Sequence, residues 1–201
     1  MTNKTSVKQI FFDRWAPSYD WLFPSVVYQA IHKRLLEYVD LPNSANVLDL
    51  GCGTGKLLHR LAVNFPTLQG NGLDLSPEMM SQANSRNFYP QRLKFLLGNA
   101  EEMPFENDEF DAVFNTISFL HYPHPQQVFN EVNRVLHHGG YFYLVDSYFK
   151  WQDEFQYLSI SPGGLKLYSP TAREKFAQEA GLSLQANYYL LGAVLLTIFT
   201  K

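Results

Sequence analysis

The stretch VLDLGCGTG at residues 47–55 restricts the fold more than any other part of the chain. A short apolar run passes directly into three glycines, Gly51, Gly53 and Gly55. A segment with Leu57, Leu58, Leu61 and Phe65 at helical spacing then follows. Glycine serves where the backbone takes positive φ or must come close to a ligand. The N–H groups at the start of the following helix offer donors to a polar or anionic group. Asp74 stands at the end of the next apolar run. In an open α/β sheet a carboxylate there faces the ligand crevice and can accept both hydroxyls of a ribose. A nucleotide-type ligand therefore explains the turn better than a tight connection alone.

The rest of the chain repeats this alternation. Residues 46–50, 70–75, 93–97, 110–118 and 141–145 read as buried strands. Residues 56–65 and 125–136 read as helices, and Ser76-Pro77 starts another, with Ser as cap and Pro at the first position. Gly139-Gly140 is expected to stop the helix before it, and Ser25 to cap one through Tyr28, Ile31, Leu35 and Tyr38. Near the end, Ser169-Pro170 opens a helix ending at Gly181. Runs 184–190 and 193–200 follow, too closely linked to be anything but antiparallel. The expectation is an α/β fold: a Rossmann-like doubly wound sheet of about seven strands, five parallel plus an antiparallel C-terminal hairpin, with helices on both faces. Residues 1–201 read as one domain, with an aromatic N-terminal lid and helix (1–40), a ligand-binding core (45–146) and a substrate-side insertion (148–168).

Composition narrows the function. The chain is 46% hydrophobic and 17% charged, the reverse of a disordered balance. A net charge of −3 argues against nucleic acid as partner. One cysteine, Cys52, makes no intrachain disulfide and suits a reducing, cytoplasmic compartment. The first residues lack the apolar core of a signal peptide, and the longest apolar stretch, interrupted at Gly192, is too short for a transmembrane segment. The dinucleotide fingerprint needs glycine where Lys56 stands, and the phosphate-loop pattern fails at Leu57.

Four segments in register, VLDLGCGTG (47–55), GLDLS (72–76), GNAEEMPFENDEFD (98–111) and RVLHHGGYFYLVD (134–146), resemble the class I S-adenosylmethionine-dependent methyltransferases. The lead segment FFDRWAPSYDWL resembles the small-molecule branch that includes quinone-biosynthesis methyltransferases. The resemblance implies S-adenosyl-L-methionine as cofactor and S-adenosyl-L-homocysteine as product. Asp49 and the turn with Gly51, Cys52, Gly53 and Gly55 would hold the methionine end, Asp49 through its amino group. Asp74 would grip the ribose, Leu75 and Met79 would pack on the adenine, and Asn99, Ala100 and Glu101 would lie at the adenine edge. Asn115 would face the methionine. The chain departs from the family at Asn99, where aspartate is usual, and at His138, where proline is usual. An asparagine carbonyl can still accept from the adenine amino group.

For the acceptor side, His121 follows the fourth strand and has a pKa range suited to removing a proton from a hydroxyl or amine. Trp15, Tyr19 and Trp21 could wall in an apolar or aromatic acceptor, with Phe119 and Tyr168 contributing. Cys52 reads as a small residue in a tight turn, not a nucleophile. No metal site is expected, because Pro123 and Pro125 break any helix aligning His121 with His124. Residues 115–118 read Asn-Thr-Ile-Ser, which argues against adenine-N6 methylation, and no cysteine is placed for cytosine-C5 methylation. The reading is methyl transfer to a small, apolar or aromatic metabolite. A non-catalytic cofactor-binding sensor or scaffold, and an NAD-dependent oxidoreductase on the same topology, are the alternatives.

Overall fold

The computed structural model describes residues 23–148, 155–158 and 164–201. Helix α1 (Phe23–Leu35) continues as a 3-10 turn, Leu36–Tyr38, and leads into β1 (Asn46–Leu50). Then follow α2 (Lys56–Asn64), β2 (Gln69–Asp74), α3 (Pro77–Ser85), β3 (Leu93–Leu97) and β4 (Phe110–Thr116). After a 3-10 turn, Phe119–His121, come α4 (Pro125–Val135) and β5 (Leu136–Ser147). The described chain ends with β6 (Phe155–Leu158), β7 (Leu165–Tyr168), α5 (Pro170–Ala180), β8 (Ser183–Leu191) and β9 (Val194–Thr200).

Seven strands form one sheet in the order β3-β2-β1-β4-β5-β9-β8. Strands β1 to β5 pair in parallel, and β9 runs antiparallel to both β5 and β8. Both faces are covered, so the central strands are apolar runs and not alternating patterns. Val47 of β1 packs into a cluster with Ile31, Leu35, Leu57 and Leu61. Leu48 and Leu50 point the other way, toward Val128, Phe129 and Val132. By the same parity Asp49 lies on the α1–α2 side.

The caps read from sequence are formed where the side chain can reach. Ser76 accepts from Met79 N–H at 3.1 Å and Ser169 from Ala172 N–H at 3.1 Å. Two expectations need correction. Helix α1 is already under way at Phe23, so Ser25 lies within it, and Pro24 is tolerated because it falls in the first turn. Helix α4 ends at Val135 and passes directly into β5, so Gly139 and Gly140 lie inside a strand. Gly139 has φ +81°, and a Cβ on Gly140 would come within 3.0 Å of Asp111 O. The two glycines thus serve the register shift between Phe110 and Ala112 opposite β5. Strands β6 and β7 form an antiparallel ribbon where the insertion was read, while Trp151 lies outside the described residues. None of the described helices is long and apolar enough to cross a membrane.

Candidate functional site

The sheet order reverses at β1, and the crevice beyond the carboxyl ends of β1, β2 and β4 is where such sheets bind ligands. The turn after β1 is fixed to the end of β2: Gly51 and Cys52 donate to Leu73 O at 2.8 and 3.2 Å. Gly51, Gly53 and Gly55 have φ of +65°, +52° and +78°. Their surroundings differ. A Cβ on Gly51 would lie 2.5 Å from Ser118 Oγ, and one on Gly55 2.5 Å from the Phe95 ring. A Cβ on Gly53 would meet only Met79 Sδ, at 4.0 Å. Two glycines let the turn pack against protein, and the third keeps the backbone bare toward the crevice.

Asp74 joins the parts. Its Oδ2 accepts from Gly53 N–H at 2.9 Å and its Oδ1 from Ser76 N–H at 2.9 Å. These bonds tie the glycine turn to the start of α3. Asp49 is only 1% exposed, and its Oδ1 is buried without a hydrogen-bond partner. Burial, and then the charge of Asp74, push its carboxyl well above the ordinary range. A buried acceptor left unmatched is costly, so the site calls for a cationic or donor group at Asp49. Burial raises the Cys52 thiol as well, with Asp74 and Asp49 adding to it, which suppresses any thiolate.

Beside the turn, Asn115 Nδ2 donates to Leu50 O at 3.1 Å and to Tyr122 Oη at 2.9 Å, and Ser118 Oγ donates to Leu50 O at 3.0 Å. This network holds the end of β1 from below. Leu75 is 43% exposed at the crevice, while Met79 is buried. Asn99 Oδ1 accepts from Glu101 N–H at 3.0 Å, Glu101 Oε1 accepts from His124 N–H at 2.9 Å, and Ala100 is buried. His121 ends the 3-10 turn, its N–H bonded to Ser118 O. That turn is fastened by Leu120 N–H donating to Asp146 Oδ2 at 2.9 Å. Phe119 and Tyr168 are buried against each other, ring centroids 5.4 Å apart, in a cluster with Phe129 and Phe176. Trp15, Tyr19 and Trp21 lie outside the described residues.

Three further side chains adjoin the site without belonging to a sequence motif: Ser118 and Tyr122, which touch the turn, and His32, which with Tyr28 and Lys56 lines the cavity beside Asp49. His32 carries no mark in the sequence beyond standing one helical turn from Tyr28 on α1.

Residues 48–144 match the methyltransferase-domain family. The chain is 35% identical over 129 residues to a malonyl-[acyl-carrier protein] O-methyltransferase of Herminiimonas arsenicoxydans, covering 64% of this chain and 46% of that protein. It is 28% identical over 138 residues to the mitochondrial 2-methoxy-6-polyprenyl-1,4-benzoquinol methylase of Caenorhabditis elegans, covering 64% and 48%. The chain thus spans about half the length of the curated relatives it matches. Among solved structures, an S-adenosylmethionine-dependent methyltransferase from Mesorhizobium loti superposes with a TM-score of 0.71 at 15% identity, over 86% of this chain and 98% of that one. The complex of the Haloferax volcanii Trm112 methyltransferase activator contains a chain with a TM-score of 0.77 at 23% identity, over 94% and 96%. At these identities the structures establish a shared fold.

Proposed function

We propose, from the match of residues 48–144 to the methyltransferase-domain family and from the likeness to named methyltransferases, that the chain is a class I S-adenosylmethionine-dependent methyltransferase and transfers a methyl group from S-adenosyl-L-methionine to a small, apolar or aromatic metabolite. The observation that carries the reading is the pair of carboxylates near the ends of β1 and β2: Asp49 lines one cavity with Gly53, and Asp74 accepts from Gly53 N–H. When bound, the cofactor supplies an activated methyl on a sulfonium centre, so the protein's task is alignment and exclusion of water.

Asp49, ionised, accepts from the ligand's ammonium, which relieves its unmatched Oδ1. Asp74 accepts from the ribose hydroxyls while its bonds to Gly53 and Ser76 hold it in place. Leu75, between β2 and α3, and Met79, on α3, would cover the adenine, and residues 99–101 would border its edge. Asn115 and the Tyr122–Ser118 network fix the end of β1, so Gly51, Cys52 and Gly55 keep the ligand's chain at one depth. His121, on a turn anchored to Asp146, takes the acceptor's proton as the new bond forms. The apolar character of the acceptor rests on the aromatic lead sequence, with Trp15, Tyr19 and Trp21 as its wall.

Thermal unfolding with saturating S-adenosylmethionine, S-adenosylhomocysteine and NAD in parallel tests the reading. Ligand at a hundredfold its dissociation constant adds about 2.7 kcal/mol. The two sulfur ligands are expected to raise Tm by roughly 5 °C, NAD not at all, and Asp74→Ala to abolish the shift. An unchanged Tm with both sulfur ligands overturns the proposal. With an acceptor identified, His121→Ala is expected to keep the Tm shift and lower turnover, and undiminished turnover removes His121 as base.

A further inference from the structure

The cavity beside the glycine turn is electrically polarised. Asp49 lines it with an unmatched Oδ1 and lies within the field of Asp74. His32 of α1 and Lys56 of α2 line the same cavity, with Arg60 one turn further along α2, and the charges of Arg60 and Lys56 act on His32. His32 is 6% exposed, and its Nδ1 is buried with no hydrogen-bond partner. Arg60 Nε is unmatched as well. Burial, then the charges of Arg60 and Lys56, drive the imidazole pKa down to about 3, so the ring is neutral at working pH and lies in positive potential. A neutral imidazole with a free Nδ1 can still donate one N–H. The start of α2 adds the positive end of a helix dipole to the same side.

Two buried groups without partners therefore share one cavity: a carboxyl that calls for a cation, and an imidazole in a setting made positive by Arg60 and Lys56, where an anionic group would match the cations and accept from the ring's Nδ1–H tautomer. A ligand head carrying an ammonium and a carboxylate on one carbon satisfies both at once. Resting on the cofactor reading above, we propose that His32 is the carboxylate-binding residue of the methionine end, donating Nδ1–H to one carboxylate oxygen, with the Lys56 side of the cavity supplying the positive field. The chain then selects ligands by their complete amino-acid end and not by the nucleoside alone.

Calorimetric titration of the full chain with S-adenosylhomocysteine and with 5′-methylthioadenosine, which lacks the amino-acid end, tests this. His32→Leu is expected to weaken S-adenosylhomocysteine at least tenfold and leave 5′-methylthioadenosine unchanged. His32→Asn, whose amide can stand near the Nδ1 position, is expected to bind S-adenosylhomocysteine within about threefold of wild type. His32→Gln, whose amide reaches instead toward the Nε2 position, should behave like His32→Leu, so the Asn and Gln pair decides if the leucine variant fails to fold. Equal affinity of wild type and His32→Leu for S-adenosylhomocysteine overturns the assignment and leaves the cofactor reading standing. Equal losses for both ligands overturn it too, since His32 would then be acting through the fold. A wild-type chain that binds neither ligand removes the cofactor reading and this inference with it.

Discussion

Among the residues of the turn, glycine is required for two different reasons, and substitution separates them. Gly51→Ala places a Cβ 2.5 Å from Ser118 Oγ at φ +65°, so the Ser118–Tyr122 network must move. The left-handed backbone alone costs about 1–2 kcal/mol, and the displaced contacts add to it. Gly51→Ala is expected to lower Tm by several degrees with or without ligand. Gly53→Ala carries the backbone penalty, but its Cβ meets nothing nearer than 4.0 Å. It should melt closer to wild type yet lose the ligand-induced shift, because the added methyl stands in the crevice. Differential scanning fluorimetry of both variants checks the contrast, and a Gly53→Ala variant that keeps the full shift defeats it. Asp49 yields a prediction in pH. It holds its proton more tightly folded than unfolded, so its contribution favours the free fold at low pH and is lost as pH rises. Ammonium binding needs the ionised form, so the ligand's affinity runs the opposite way. Titration of S-adenosylhomocysteine from pH 5 to pH 8 should show affinity rising with pH, and Asp49→Asn should bind weakly with a flat profile. The carboxylates and glycines were legible in sequence because spacing to a strand end marks them. His32 was hidden because one histidine on an amphipathic helix looks like any other polar position until its neighbours are known.

At the scale of elements, strands and helices followed from apolar periodicity, and the misreadings cluster where tertiary pairing overrides local signals. Gly139-Gly140 has the composition of a helix stop, yet Leu136 already pairs with Phe110, and the glycines shape a strand. Arg173 was equally illegible. A lone arginine in a helix suggests surface, but α5 buries it to 1% exposure. There it donates to Tyr168 O, Leu195 O, Thr197 Oγ1 and Asp146 O at 3.1–3.3 Å. One side chain thus joins β7, β9 and β5 to α5. Burial pushes Asp146 up to about 6, against the opposing pull of the Arg173 charge. Arg173→Met would orphan these acceptors and leave Asp146 without its counter-charge, at a cost of about 3–5 kcal/mol. The contribution of neutral Asp146 is present at low pH and lost as pH rises through about 6. The penalty for its charge is larger without Arg173, so the variant's deficit should widen from pH 5 to pH 8. Urea denaturation at both pH values measures it, and a deficit independent of pH would show that the lost hydrogen bonds alone account for it.

For the whole molecule, the decisive feature is where the last strand goes. Sequence indicated a closing hairpin but not its order, because pairing partners are chosen by edges that exist only in the assembled sheet. In the fold β9 enters between β5 and β8 and pairs with β5 from Tyr141↔Thr200 to Ser147↔Val194. Its alternating side chains feed both layers of the core: Leu196 and Ile198 join the α1–α2 side, and Phe199 joins the cluster beneath α4. A chain ending at residue 193 would bare the edge of β5, detach β8 and remove two of the acceptors that hold Arg173. Each large buried side chain contributes about 1.5–3 kcal/mol. The loss of Leu195, Leu196, Ile198 and Phe199 is then comparable with the 5–15 kcal/mol that typically holds a domain folded. The 1–193 fragment is therefore expected to show no cooperative thermal transition by circular dichroism. A chain lacking only Lys201, which contacts Asp108 and Leu136 O at the margin of the sheet, should keep one. A sharp transition in the 1–193 fragment would mean that the five parallel strands stand alone and that β8 and β9 complete a fold already formed without them.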